Sequence, residues 1–304
     1  MNDIEALKAI LYFSIFKYPI NKREVFKFAN INNQLDLEKQ LDFLTQEGVI
    51  HKLDDYYSSK NDLSLVERRL KGNEMARKIM PKANRVARLI AKFPYIDSVS
   101  LSGALSKGYF DDDGDIDFFI ITKPNRLWIA RTLLILYKKI VLLNSKKYFC
   151  VNYFITSNHL QIQEQNRFTA TELVTLIPLY GKDVFVNFVR ENQWAYDFFP
   201  NKKNQDILQL KDTEKYWLSK ILQTVFNTRF GNFLEHIFRT MTLRKWTTKF
   251  DNLEKEDFDI AMKSTKNVSK HHPQNFQKKV IDRLDKDYKE VIKKFDLEIL
   301  KRHA

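Results

Sequence analysis

Residues 98–122 read SVSLSGALSKGYFDDDGDIDFFIIT, a strand, a glycine turn, an acidic loop and a second strand. Asp115 and Asp117 stand two apart in the apolar run Ile116, Phe118, Phe119, Ile120, Ile121. Side chains alternate faces along a strand, so both carboxylates are expected on one face. Two like charges on a buried strand cost free energy unless a cation or hydrogen bonds compensate, and paired hard oxygen donors suit Mg²⁺ or Mn²⁺. Upstream, Gly103 and Gly108 bracket Ala104, Leu105, Ser106 and Lys107. Glycine lets the backbone turn tightly and approach a ligand, and a helix that begins at such a turn offers free N–H groups to phosphate. Lys107 adds positive charge.

Solvation accounts for Asp111, Asp112 and Asp113 as an acidic turn, but not for Asp115 and Asp117, which alternate with large apolar residues. An EF-hand calcium loop needs its glycine five positions after its first Asp, and Tyr109 stands five before Gly114. The whole unit resembles the nucleotidyltransferase domain of the DNA polymerase β superfamily. That family has a Gly-Ser turn, a basic residue and a glycine a few positions on, then Asp-x-Asp on the next strand. Gly103, Lys107, Gly108, Asp115 and Asp117 occupy those places, and Ala104 stands where the family usually has serine.

The resemblance implies a metal-dependent enzyme that moves a nucleoside monophosphate from an NTP, with ATP the first expectation, to an acceptor hydroxyl with release of pyrophosphate. Asp115 and Asp117 would hold Mg²⁺ (or Mn²⁺), and Ser102, Gly103, Ala104, Ser106, Lys107 and Gly108 would position the phosphates. Acceptors in the superfamily include small molecules, RNA ends and protein side chains. The strand expected at 148–156 often carries a third carboxylate in that family, which helps hold metal and can take the acceptor's proton. Asn152 stands at the matching position here. An amide can ligate Mg²⁺ but cannot act as a general base. Glu164 or Glu172 could supply the carboxylate instead, although Thr169 and Glu172 also fit a helix-starting capping box, the reading favoured.

The runs TATELVTLIPLYG (169–181) and VFVNFVRENQWAYDFFPN (184–201) resemble a recurrent bacterial group of nucleotidyltransferase-domain proteins. With FCVNYFI (149–155), the resemblance spans about a third of the chain. Asn192 and Trp194 are candidates for the acceptor pocket, against the commoner role of such residues in a core.

The 304 residues hold 44% hydrophobic residues, enough for two or three domains with real cores. A lone cysteine, Cys150, excludes an internal disulfide and fits a reducing compartment, with buried filler as its expected role. The start, MNDIEALKAI, carries acids before its apolar stretch, unlike a secretory signal, and the apolar run 127–143 is interrupted by Arg131, Lys138 and Lys139. A cytoplasmic protein without a membrane partner is therefore expected. Of the net charge of +13, residues 96–201 contribute nothing, with 11 Lys+Arg against 11 Asp+Glu. Both flanks are basic, which suits a polyanionic partner or solubility.

The expected fold class is α+β. Residues 1–60 suggest a winged helix-turn-helix: a helix over 3–17, a second after Asn21, a third over 35–47 and strands at 49–53 and 56–58. The third helix, which would read DNA, carries Asp36, Glu38, Asp42 and Glu47 against Lys39 alone, the wrong sign for phosphate. A protein contact or packing role is favoured there. Residues 61–95 are expected to form a basic helical connector broken near Pro81, residues 96–201 the mixed-sheet nucleotidyltransferase domain, and residues 202–304 a helical bundle. His271 and His272 have no spaced partner that would complete a metal site, so surface positions are expected. Two other functions remain open: a catalytically impaired nucleotide-binding regulator or scaffold, motivated by Ala104 and Asn152, and nucleic-acid binding through the basic flanks.

Overall fold

The computed structural model describes residues 4–145, 147–202 and 217–297 and is α+β, with two sheets. At the N-terminus, α1 (Glu5–Ile15) buries residues around most of its circumference, including Leu7, Ile10, Leu11 and Phe13, because it is covered on several sides. β1 (Ile20–Asn21) leads directly into α2 (Lys22–Phe28), where Asn21 and Glu24 complete a reciprocal capping box. α3 (Gln34–Gln46) turns Leu37, Leu41 and Leu44 inward. β2 (His51–Leu53) and β3 (Tyr56–Ser58) form the expected hairpin, and β1 joins it to give the order β1-β3-β2. β1 was not legible in the sequence, since two residues carry no period.

Next comes α4 (Ser64–Ala91), a single helix of 28 residues with Pro81 inside it. The expected break at Pro81 does not occur. Proline in a helix interior costs about 3 kcal/mol through its missing N–H and ring clash. Here the helix is held along its length by tertiary packing, with Ala76, Ala83, Ala87 and Ile90 buried in the same core as Val99 and Leu101.

The central sheet contains β4 (Ile96–Ser102), β5 (Asp117–Thr122), β6 (Cys150–Thr156), β7 (Ile177–Tyr180) and β8 (Val268–Lys270), in the order β7-β4-β5-β6-β8. β5 and β6 are parallel, linked through α6 (Leu127–Ile140), and the other pairings are antiparallel. Phe118 and Ile120 face the core shared with α4 and α6, while Phe119 and Ile121 join a second core with Phe185 and Phe188. Pro178 lies in β7, an edge strand, where its missing N–H removes no bond from a central ladder.

α7 (Arg167–Val174), α8 (Lys182–Glu191) and α9 (Trp194–Asp197) follow β6 along with β7, and α10 (Trp217–Phe226), α11 (Arg229–Lys249), α12 (Lys255–Ala261) and α13 (Phe276–Lys294) complete the chain. The expectation of a C-terminal helical bundle is corrected. This segment supplies β8 to the central sheet, while Val280, Leu284 and Ile292 of α13 enter the N-terminal core beside Leu7 and Ile10. Only part of its apolar surface is covered in this way: on α10 and α11, which pack against each other, Trp217, Ile221, Val225, Phe233 and Met241 are exposed. Among the described residues no helix is long and apolar enough to cross a membrane.

Candidate functional site

β4 ends at Ser102, which pairs in register with Asp117 at the start of β5. The chain then turns through Gly103 at φ +67°, into the single turn α5 (Gly103–Ser106). A Cβ on Gly103 would lie 2.6 Å from Asp117 Oδ2, so the absence of a side chain lets the turn lie directly on this carboxylate. Ser106 Oγ donates to the Gly103 carbonyl at 2.8 Å, and Lys107 Nζ donates to the same oxygen at 3.0 Å. Gly108, also at positive φ, offers its carbonyl to Asn73 Nδ2 of α4 at 2.8 Å. The turn is thus fastened from within and from α4.

Ser102, Gly103, Asp117, Asn152 and Glu172 converge on one pocket of about 220 Å³. Ser106 and Lys107 face a separate cavity on the other side of the turn. Burial pushes the Asp117 carboxyl up to about 6, a shift opposed by the Cys150 thiol, reinforced by the charges of Asp115 and Glu172 and opposed by Lys107. Burial also raises the Cys150 thiol, with Asp117 adding to the effect, so the thiol stays protonated at neutral pH. Asn152 Nδ2 approaches Cys150 Sγ at 2.8 Å. Cys150 is buried as expected, but it also stands between Asn152 and Asp117, a role that its place in an apolar run did not signal.

Glu172 does not take part in a capping box. Asn166 caps α7, its Oδ1 accepting from Thr169 N at 2.9 Å, and Glu172 pairs with Lys107 at 2.8 Å. Glu164 also lines the pocket and pairs with Lys263 at 2.9 Å. Asn192 and Trp194 are structural. Asn192 accepts from Ile162 N and donates to the carbonyls of Leu160 and Phe188 at 2.8–2.9 Å, and Trp194 Nε1 donates to Asn192 Oδ1 at 3.3 Å.

The wall facing β5 and β6 comes from β8 and the loop after it, which the sequence did not mark. Lys270 Nζ donates to Gln277 Oε1 at 3.0 Å and lies over the Tyr153 ring, and burial lowers its pKa. Asn275, held at φ 43°, lines the pocket with both polar atoms of its amide buried and unbonded. His271 and His272 are half-buried against aromatic rings, not fully exposed as expected. The His271 ring lies 5.0 Å from that of Trp246, and His272 packs edge-on to Tyr153, with burial lowering its pKa to about 4.

No family model, curated protein or solved structure matches this chain. The site must therefore be read from its own chemistry. Among the described residues no group of three His, Cys, Asp or Glu side chains is placed to hold a metal ion. Of the two expected metal ligands, Asp117 lines the pocket, whereas Asp115 lies just before β5 and is not among the pocket's lining residues, so the strand does not carry both carboxylates. The charge of Asp115 is close enough to raise the Asp117 carboxyl, and carboxylate oxygens are the donor type Mg²⁺ takes alongside water and phosphate. An upward shift at Asp117 is the signature of a buried carboxylate whose charge lacks compensation.

Proposed function

We propose that this protein is a nucleotidyltransferase of the polymerase β kind, moving an NMP from an NTP to the hydroxyl of an acceptor. The observation that carries the reading is the contact between the glycine turn and Asp117, at the mouth of a pocket walled by Ser102, Asn152 and Glu172. Asp115 and Asp117 would hold Mg²⁺ or Mn²⁺, which when bound supplies charge neutralisation for the triphosphate. Backbone at Gly103 and Ala104, with the Ser102 hydroxyl, would orient the phosphates. The acceptor oxygen would form its bond to the α-phosphorus as the bond to the bridging oxygen breaks and pyrophosphate leaves. Glu172 is the pocket carboxylate suited to receive the acceptor's proton, since Asn152 cannot. The acceptor is a small molecule, an RNA end or a protein side chain.

The expected outcome for Asp115→Asn with Asp117→Asn is loss of metal-dependent pyrophosphate release from ATP, measured alongside the other NTPs. Unchanged turnover in the folded double variant would sink the mechanism. A second reading, a nucleotide-binding regulator without turnover, is favoured by the capture of Lys107 by Glu172 and the Gly103 carbonyl. Calorimetry with ATP and Mg²⁺ separates the two, because the regulator binds and releases no pyrophosphate.

We read the N-terminal module as a winged helix, on the order of its helices and its three-stranded sheet. Glu38 and Asp42 on α3 and Glu47 at its C-terminal cap are exposed, with Lys39 the lone basic residue of that helix, which argues for a protein contact over DNA. Nucleic acid remains open to the basic face of α4. A cytoplasmic location is the compartment that this reading and the lone cysteine favour.

A further inference from the structure

Between α2 and the far side of the glycine turn lies a second cavity of about 140 Å³, lined by Lys27, Lys107, Lys202, Glu24, Tyr18 and Ser106 among others. Its position is fixed by packing. Asn201 Nδ2 donates to the carbonyl of Ile31 at 2.7 Å and to that of Phe26 at 3.2 Å, so the segment bearing Lys202 is tied to the end of α2. Lys202 Nζ lies over the Phe28 ring at 5.2 Å.

The carboxylate lining this cavity is already engaged. Glu24 accepts from Arg69 through both oxygens, at 2.7 and 2.8 Å, and from Asn21 N at 2.9 Å. Lys107 is held by Glu172. Lys27 and Lys202 have no carboxylate partner among the described residues. Burial and then the charges of Lys27 and Lys107 push the Lys202 ammonium below its usual pKa, with Glu24 countering only in part. Tyr18 Oη accepts from Asn73 Nδ2 at 3.2 Å, which leaves its own hydrogen available to donate. A half-enclosed space with two ammonium groups that have no ion-pair partner among the described residues, and a hydroxyl donor, is complementary to a compact anion.

We propose that this cavity is a binding site for a small tetrahedral oxyanion, phosphate or the phosphate monoester of a small molecule, held by Lys27, Lys202 and Tyr18. The site is distinct from the Asp117 pocket and does not depend on the nucleotidyltransferase reading. Lys107 contacts both, because it lines this cavity and its partner Glu172 lines the other.

The test is calorimetry of the full chain at low salt with inorganic phosphate and, separately, with glycerol phosphate. One site is expected, weakening as salt rises. Lys27→Gln with Lys202→Gln should weaken it by about a hundredfold, roughly tenfold for each charged contact removed. Without ligand, that variant should melt no lower than the wild type, since two mutually repelling charges are gone. Tighter glycerol phosphate than phosphate assigns the site to a monoester, and the reverse assigns it to the free ion. Binding should persist in Asp115→Asn with Asp117→Asn, whatever that variant does to turnover. Absence of binding by the wild type, binding unchanged in the lysine variant, or binding lost only in the aspartate variant would each overturn the proposal.

Discussion

At the scale of single residues, Asp117 shows how a site can work against the fold that carries it. Its folded-state pKa of about 6 lies above the value of 3.8 for a free carboxyl, so the folded chain binds the proton more tightly than the unfolded chain. The cost of holding the ionised group is fully present above about pH 6 and disappears as the pH falls toward 4. Asp117→Asn should therefore stabilise the metal-free protein at pH 8, by about 1–3 kcal/mol. Thermal melts in a chelator between pH 4 and 8 check this, and a gain independent of pH would show that charge is not its source. His272 has the opposite sign. Its depressed value, about 4, contributes stability above the ordinary 6.5 that is lost as the pH falls through 4. The wild-type profile therefore mixes two opposing terms, and the difference between wild type and Asp117→Asn isolates the first.

At the scale of elements, α4 illustrates packing overriding intrinsic preference. Gly72 sits in the helix, where alanine would ordinarily be favoured by about 1 kcal/mol. A Cβ there would lie 2.1 Å from Cε2 of Tyr109, the ring next to Gly108, and Gly72 O accepts from Phe110 N at 3.1 Å. Gly72→Ala should destabilise the protein by about 1–3 kcal/mol, measured by urea titration, and a stabilised variant would mean that the Tyr109 ring swings away freely. Several elements were legible in the sequence: the β4 and β5 unit through its glycine turn and the apolar run from Phe118 to Ile121, α2 through Asn21, α3 through its extent up to Gly48. β1, β7 and β8 were not, since two to four residues carry too little pattern and Pro178 argues against a strand unless it lies at an edge. The same limit hid part of the pocket. Asp117, Gly103 and Asn152 were legible because they lie on one local unit and its neighbouring strand, whereas Lys270, Asn275 and Gln277 reach the site only through the pairing of β8 with β6.

At the scale of the whole molecule, the two ends of the described chain share one core. Tyr288 of α13 accepts a hydrogen bond from Ile4 N at 3.1 Å, and Val280, Leu284 and Ile292 are buried with Leu7, Ile10 and Leu37. α7 joins the same core through Ala170 and Val174 while presenting Glu172 to the pocket. Loosening α13 should therefore reach the site through α7 without any substitution in the pocket. Leu284→Ala removes a side chain left only 8% exposed and should cost about 2–4 kcal/mol. Hydrogen exchange should show faster opening of α1, α7 and α13 together, because their apolar faces are mutual. Faster exchange confined to α13, with α1 and α7 as protected as before, would mean that the C-terminal helix is an independent attachment and that the shared core does not couple the chain's ends to the Asp117 pocket.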